Sequence, residues 1–262
     1  MASNSRAEST LTSTNIIRSQ LLAENGVDGF FSTRQGDLSL PPYQSLNFDP
    51  EVNKNKHLAL NMARLIDHCT LNTEPHQAMQ VHQCHHLWCS GPGSSHQIEA
   101  DILLTQARAT AVAVRTADCL PLLLAEPNTN IVAAVHAGWR GTANAIVSVA
   151  LRQMILRGAK AEHILASLGP AIGPCCFEIG EQAATLLANA ATGASAHIQS
   201  KPLRADLAAI NRLQLIENGI SPDHIECMGL CTACNPELFF SYRRDGLQAG
   251  RHLAVVAIPL AT

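Results

Sequence analysis

Two stretches decide the fold: Ala111-Val-Ala-Val-Arg-Thr-Ala-Asp-Cys119-Leu-Pro121 and Ile131-Val-Ala-Ala-Val-His136-Ala-Gly-Trp-Arg-Gly141. Each is an apolar, β-branched run that breaks at a polar or glycine-rich turn, which reads as a strand. Cys119 and His136 therefore sit where strand gives way to loop, the usual place for working residues on a rigid scaffold. Upstream, Gln80-Val-His82 adds a second imidazole. One thiolate and two imidazoles make a three-ligand zinc set that leaves a fourth position open for water or substrate. The separations, 119 − 82 = 37 and 136 − 119 = 17, match no compact zinc-finger rule. What unites the three residues is a shared place at strand ends.

Around these stretches the chain reads as alternating helices and strands. Helices are expected over 53–69, 142–157, 181–190 and 207–218. Thr142 and Asp206 are the expected caps, with Gly158 and Gly219 as left-handed stops. Strands are expected over 29–34, 78–88, 101–104, 111–116, 120–125, 131–136, 163–168, 225–230, 238–242 and 252–259. Pro127 to Asn130 forms the turn of a hairpin. Residues 1–15 read as a disordered tail and 16–262 as a single catalytic domain. No repeat or linker interrupts it, and the residues predict one α/β domain with mixed sheets.

Composition narrows the function. The chain has 262 residues, 47% hydrophobic and 15% charged, so it can bury a sizeable core. Aromatics make up only 4%, which leaves Val, Ile, Leu and Ala to fill that core. The net charge of -3 and the lack of a basic stripe argue against a nucleic-acid groove. No apolar stretch is long enough to span a membrane, and no signal peptide is evident. The nine cysteines are odd in number and several lie in apolar runs, so they predict free thiols in a reducing cytoplasm.

Other candidate groups have plainer readings. Cys84-His85-His86 with Cys89 crowds four possible ligands into six positions, but one segment closes a metal site only with strain, and surface histidines are expected. Cys231-Thr-Ala-Cys234 is a C-x-x-C motif that lacks the second pair a structural zinc needs. It is therefore expected to be dispensable, with its double Ser variant turning over within about tenfold of the parent. Cys175-Cys176 reads as a turn element packed against Phe177. Arg34, Arg140, Arg243 and Arg244 are loop cations able to hold phosphate or carboxylate. Dinucleotide, P-loop, metalloprotease, nucleophile-elbow and zinc-deaminase signatures are all missing.

The motifs together resemble the YfiH family, also called the laccase-domain, polyphenol oxidase or peptidoglycan editing factor family. The resemblance rests on Gln80-Val-His82, Thr116-Ala-Asp-Cys119-Leu-Pro121, His136-Ala-Gly-Trp-Arg-Gly141, Leu168-Gly-Pro-Ala-Ile-Gly-Pro-Cys-Cys176 and Phe239-Phe-Ser-Tyr-Arg-Arg-Asp-Gly246, in that order. Phe31-Ser-Thr-Arg34 and Ser45-Leu-Asn47 match its N-terminal pattern, whereas Gly36-Asp-Leu-Ser39 departs from the usual Gly-Gly-Val-Ser. The resemblance implies a single-domain α-β-β-α layered sandwich similar to the catalytic domain of cytotoxic necrotizing factors. It also implies zinc on His82, Cys119 and His136, which double as the catalytic residues. Substrate contacts are expected from Arg34 and Asn47.

The activity it implies is purine nucleoside chemistry: phosphorolysis of adenosine, inosine, guanosine or methylthioadenosine, and deamination of adenosine. The expected partners are a purine nucleoside and phosphate, with neither nucleic acid nor membrane. Two alternatives stand beside this. In one, Cys119 is the nucleophile and His136 the base of an amidase editing a peptidoglycan precursor. In the other, the protein is a copper-dependent polyphenol oxidase. Copper binds such a site by raw affinity, but the chain has no H-x-H pair, and one His-Cys-His site cannot gather the four electrons that reduce dioxygen. A metal buffer built on the histidine-rich 82–96 segment is a third class.

Overall fold

Strand parity sorts the core into layers. The computed structural model describes residues 16–35, 46–50, 56–69 and 71–260. Its strands in chain order are β1 (Ile16–Arg18), β2 (Asp28–Ser32), β3 (Gln77–Met79), β4 (His86–Cys89), β5 (Ser95–Glu99), β6 (Ile102–Thr105) and β7 (Ala111–Thr116). They continue with β8 (Leu120–Glu126), β9 (Ile131–Ala137), β10 (Leu165–Leu168), β11 (Ile198–Ser200), β12 (Leu203–Ala205), β13 (Ile225–Cys227) and β14 (His252–Ala257). The helices are α1 (Gln20–Glu24), α2 (Lys56–His68), α3 (Trp139–Ala143), α4 (Ile146–Leu156), α5 (Glu181–Ala188), α6 (Leu207–Glu217) and α7 (Tyr242–Asp245).

Two sheets carry the fold. One has four strands in the order β1-β2-β14-β7, all antiparallel. The other has six in the order β13-β10-β8-β9-β6-β4, with parallel pairs at both edges. Successive side chains point to opposite faces of a strand, and the buried clusters follow that rule. Val112, Val114, Ala254 and Val256 of the smaller sheet meet Leu103, Leu123, Ala125, Val132 and Ala134 of the larger. The alternate residues Ala111, Ala113, Leu253 and Val255 face Met62 and Leu65 of α2. On the far side, Leu122, Leu124, Ala133 and Val135 face Ile146, Val147, Ala150 and Met154 of α4 and Leu215 of α6. The layers are therefore α, β, β, α. β8 and β9 are covered on both faces, which is why they read as unbroken apolar runs.

Asp206 caps α6, accepting the N–H of Ala209 at 3.0 Å, and Gly158 and Gly219 take φ of 100° and 90°. Three segments differ from expectation. The strand predicted over 78–88 is two strands, because the Asp101 carboxylate accepts the backbone N–H groups of Val81, His82 and Gln83 and folds them into a turn. The helix predicted over 142–157 is α3 followed by α4. Ala145 between them is left-handed, with φ 55°. Thr142 is not a cap but a buried residue of α3 whose hydroxyl accepts from Asn211 Nδ2 at 2.9 Å. Residues 238–241 form no strand and lead into α7, which Ser241 caps. The N–H of Phe240 goes to a side chain, His252 Nε2, at 2.7 Å, rather than to a strand neighbour. The expected tail 1–15, the 36–45 loop and the start of the 53–69 helix lie outside the described residues.

His252 yields a prediction. It is buried between Phe239 and Phe240, with ring centroids 5.5 and 5.1 Å away. Burial, reinforced by the positive charges of Arg34 and Arg251, pushes its pKa down to about 3. Above the ordinary histidine value both folded and unfolded chains keep it neutral. Below that value only the unfolded chain takes up the proton, so stability falls with pH until about 3. His252→Gln, which keeps an acceptor for Phe240, should remove this dependence. Urea unfolding at pH 6.5 and 5.0 should then show the wild type losing about 2 kcal/mol more than the variant. Equal losses in both proteins would mean that His252 is protonated in the fold.

Candidate metal centre

The three strand-end residues converge. The donor atoms of His82, Cys119 and His136 all lie within 4.8 Å of one another. The strand register explains two of them. His136 pairs with Pro121 across β8 and β9, and Cys119 lies one residue before β8. Both share the parity of the residues that point between the two sheets, so both reach the same end of the inter-sheet space. His82 arrives from the turn after β3, with φ 59°. Its ring meets that of His136 edge to face, with centroids 4.8 Å apart.

Asp101 organises the whole group. It is fully buried at the start of β6 and accepts His136 Nδ1 at 2.7 Å. The same carboxylate holds the His82 turn through three N–H bonds, at 3.1, 3.1 and 2.9 Å. Burial raises its pKa, but the bonds to His136 and these N–H groups outweigh that and keep it ionised. With Nδ1 committed to Asp101, His136 presents Nε2 to the site, the orientation typical of a ligand histidine. Both imidazoles stand close to the Cys119 sulfur. Burial pushes the Cys119 thiol up, yet the charge of His136 and the nearness of both rings win, bringing it down to about 6. Burial likewise lowers His136, but the Cys119 charge and Asp101 raise it to about 9.

Gly138 leaves room for this arrangement. A Cβ there would stand 3.0 Å from Cys119 Sγ and 3.2 Å from His82 Cδ2. Asp118, with φ 87°, braces the loop that carries Cys119. Its carboxylate accepts Thr232 Oγ1 at 2.6 Å, Ser241 Oγ at 3.0 Å and the Arg243 N–H at 2.6 Å. Left-handed non-glycine residues flanking a reactive group are the kind of strain that gathers at functional sites.

The group opens onto a cavity of about 610 Å³. Three arginines line it, Arg115, Arg243 and Arg251, together with Phe177, Tyr242 and Gln80. Arg34 and Asn47 are not among the described lining residues. Arg34 stacks over Phe240 at 4.8 Å and donates to the Pro236 carbonyl at 3.0 Å. Asn47 is buried, and its Oδ1 accepts from the N–H groups of Asp49 and Arg251. Both side chains fasten the chain near the cavity. Of the other flagged arginines, Arg244 pairs with Asp245 and Arg140 stacks on Trp139.

The histidine-rich segment disperses. Cys84 faces the carbonyls of Gly141 and Asn144, His85 lies 3.6 Å from Glu99, and His86 is exposed. Cys89 instead joins His76 and His96, whose ring nitrogens are 2.8 Å apart. The expectation that Cys231 and Cys234 lack a second pair is overturned: the chain brings Cys175 and Cys176 to them. Asp101 and Arg115 went unnoticed in the sequence. An acidic residue opening an apolar strand was the available signal for Asp101.

Comparison with known proteins identifies the family. The family model described as multi-copper polyphenol oxidoreductase laccase matches residues 28–259. A purine nucleoside phosphorylase of Deinococcus radiodurans is 35% identical over 231 residues, 87% of this chain and 88% of that one. An adenosine deaminase, RL5, from an unknown prokaryote is 36% identical over 163 residues, 58% of this chain and 59% of its own. The crystal structure of the Bacillus licheniformis hypothetical protein YfiH superposes with a TM-score of 0.83 at 27% identity, covering 93% of this chain and 96% of that one. With its layered sheets, its His-Cys-His group and a match over nearly its whole length, the chain belongs to the YfiH, or laccase-domain, family.

Proposed function

We propose that the protein is a zinc-dependent enzyme acting on purine nucleosides, by phosphorolysis and by deamination of adenosine. The observation that carries this reading is the convergence of His82, Cys119 and His136 at the wall of a cavity that three arginines also line. The donor set fits zinc: two imidazoles, one sulfur that is a thiolate at neutral pH, and a carboxylate behind the buried histidine. Bound there, the metal supplies Lewis-acid polarisation and an acidified water.

The chain's own residues do the rest. Arg115, Arg243 and Arg251 offer positive charge to phosphate. Phe177 and Tyr242 offer aromatic faces to a purine. In phosphorolysis the glycosidic C1′–N9 bond breaks, a phosphate oxygen bonds C1′, and the purine leaves with a proton. In deamination water adds at C6 and ammonia leaves. Asp101 keeps His136 oriented throughout, and the inter-sheet core behind the site excludes solvent. The family relatives named for both reactions support this reading. Free thiols at all described cysteines fit a cytoplasmic setting. No described helix is long and apolar enough to cross a membrane.

The test is a nucleoside panel incubated with and without phosphate, with products read by mass. Phosphate-dependent release of free base, abolished by a chelator and restored by zinc, is the expected result. Turnover that survives complete metal removal sinks the zinc reading, and phenol oxidation restored by copper alone replaces it.

One observation favours a second reading. Cys119, His136 and Asp101 also form a nucleophile, base and orienting carboxylate, with the thiol at about 6 and the imidazole at about 9. An amidase of this type needs no metal. Alkylation of Cys119 in metal-stripped protein should follow the thiolate, with a rate half-maximal near pH 6 and level above it. A midpoint near that of an ordinary cysteine would show that the ion pair does not form. If the stripped, unmodified protein hydrolyses an amide and the alkylated one does not, this second reading stands.

A further inference from the structure

A second thiol-rich cluster lies in the fold apart from the His-Cys-His group. Cys175 and Cys176 sit in the turn after β10, and Cys231 and Cys234 in the turns after β13. Their four sulfurs all lie within 4.8 Å of one another. Cys234 Sγ is 3.5 Å from Cys175 Sγ and 3.3 Å from Cys176 Sγ. A disulfide holds its sulfurs at about 2.0 Å. In a tetrahedral four-thiolate zinc site, with Zn–S of about 2.3 Å, the sulfurs stand about 3.8 Å apart. The observed spacing belongs to the second arrangement.

The surroundings suit bound thiolates. The Gly173 N–H donates to Cys231 Sγ at 3.3 Å. Gly173 packs directly against the cluster: a Cβ there would stand 3.4 Å from Cys175 Sγ and 3.4 Å from Cys231 Cβ. Four thiolates on a divalent ion leave a net double negative charge. Two guanidinium groups are fixed beside it, Arg243 on the Cys176 carbonyl at 3.1 Å and Arg244 on the Thr232 and Ala233 carbonyls at 3.2 and 3.3 Å. The two cysteine segments are also pinned together, through a bridge between Ala171 and Cys231 and a bond from the Thr232 N–H to the Ala171 carbonyl at 3.0 Å. The ligands are thus held by backbone before any ion arrives.

We propose that Cys175, Cys176, Cys231 and Cys234 form a structural site for a divalent, thiolate-seeking metal ion, zinc above all. The site is closed, since all four ligands come from the protein. Its role follows from what it fastens. Phe177 and Ile172, which line the cavity, flank the first cysteine pair, and Thr232 beside Cys231 holds Asp118, the brace of the Cys119 loop. The ion clamps one wall of the cavity without touching it. This inference stands apart from the reading of the His-Cys-His group.

Cobalt(II) titration of reduced protein tests it, since thiolate-to-cobalt charge transfer in the near ultraviolet scales with the number of thiolates. The titration uses a Cys89→Ala, Cys119→Ala variant, in which the thiols of the other two His-Cys groups are removed. That protein should take up about one equivalent with an intense thiolate band and release it to zinc. Adding Cys231→Ser and Cys234→Ser should abolish the band. Should that variant fail to fold, Cys175→Ser in the same background should weaken cobalt affinity at least about tenfold and dim the band, one of four thiolates being lost. Absence of the band from this reduced double-alanine protein overturns the proposal. So does a band that persists without Cys231 and Cys234, or a Cys234 disulfide whose reduction gives no metal uptake.

Discussion

Cys119→Ala is expected to abolish nucleoside turnover and to weaken zinc binding at the His-Cys-His group in a single step. Cys119 is the only anionic donor of that group, so its loss removes both charge and one of three protein ligands. Turnover should fall by more than about a thousandfold, a barrier increase of about 4 kcal/mol. The fold should survive, because losing one sulfur atom at a loop position leaves a small cavity, typically worth no more than a few kcal/mol. Metal analysis, circular dichroism and product mass on one preparation separate these effects. A folded variant that keeps its activity on adenosine or inosine ends the zinc-thiolate reading. If it keeps metal but loses activity, Cys119 acts as the nucleophile instead.

Asp101→Asn is expected to have the next largest effect, although Asp101 does not line the cavity. Its two oxygens accept four hydrogen bonds, one from His136 and three from the His82 turn. Asparagine offers one acceptor, and its amide N–H groups oppose the backbone donors. Both imidazoles should lose their fixed positions together. Metal affinity should drop about 10–100-fold, the range found for partners behind ligand histidines. Stability should fall by about 1–3 kcal/mol, since part-buried N–H groups are left unpaired. Competition against a chelator gives the affinity, and kcat and KM measured at saturating metal separate positioning from simple unfolding. Asp101→Glu should recover part of the affinity, whereas an Asn variant within about twofold of wild type would remove Asp101 from the site.

The sheets were legible because their strands obey local rules. β7, β8, β9 and β14 lie close to where the apolar runs place them, and burial on both faces accounts for the unbroken pattern. Cys119 and His136 were legible for the same reason, since each marks the end of such a run. Long-range side-chain bonds were not. The turn at 80–85 depends on a carboxylate about twenty residues downstream. The irregular path at 238–241 depends on His252. The break before α4 needs Ala145 in a left-handed conformation that its residue type does not favour. The meeting of the two cysteine pairs was invisible for a related reason: 231 − 176 = 55 residues separate them, and the Ala171–Cys231 bridge and the backbone bonds beside it bring them together.

β14 lies inside the four-stranded sheet, between β2 and β7, and its His252 pairs with Thr116, three residues before Cys119. The order of synthesis then matters. Every ligand of the His-Cys-His group has been made before the strand that sets the register of the Cys119 segment exists. A nascent chain halted ahead of His252 presents the unpaired edges of β2 and β7 to its surroundings, a recognised hazard for aggregation. Closing that sheet joins residue 28 to residue 257, the kind of distant pairing that slows folding. Assembly of the His-Cys-His group is thus tied to β14, a strand made after all three of its residues.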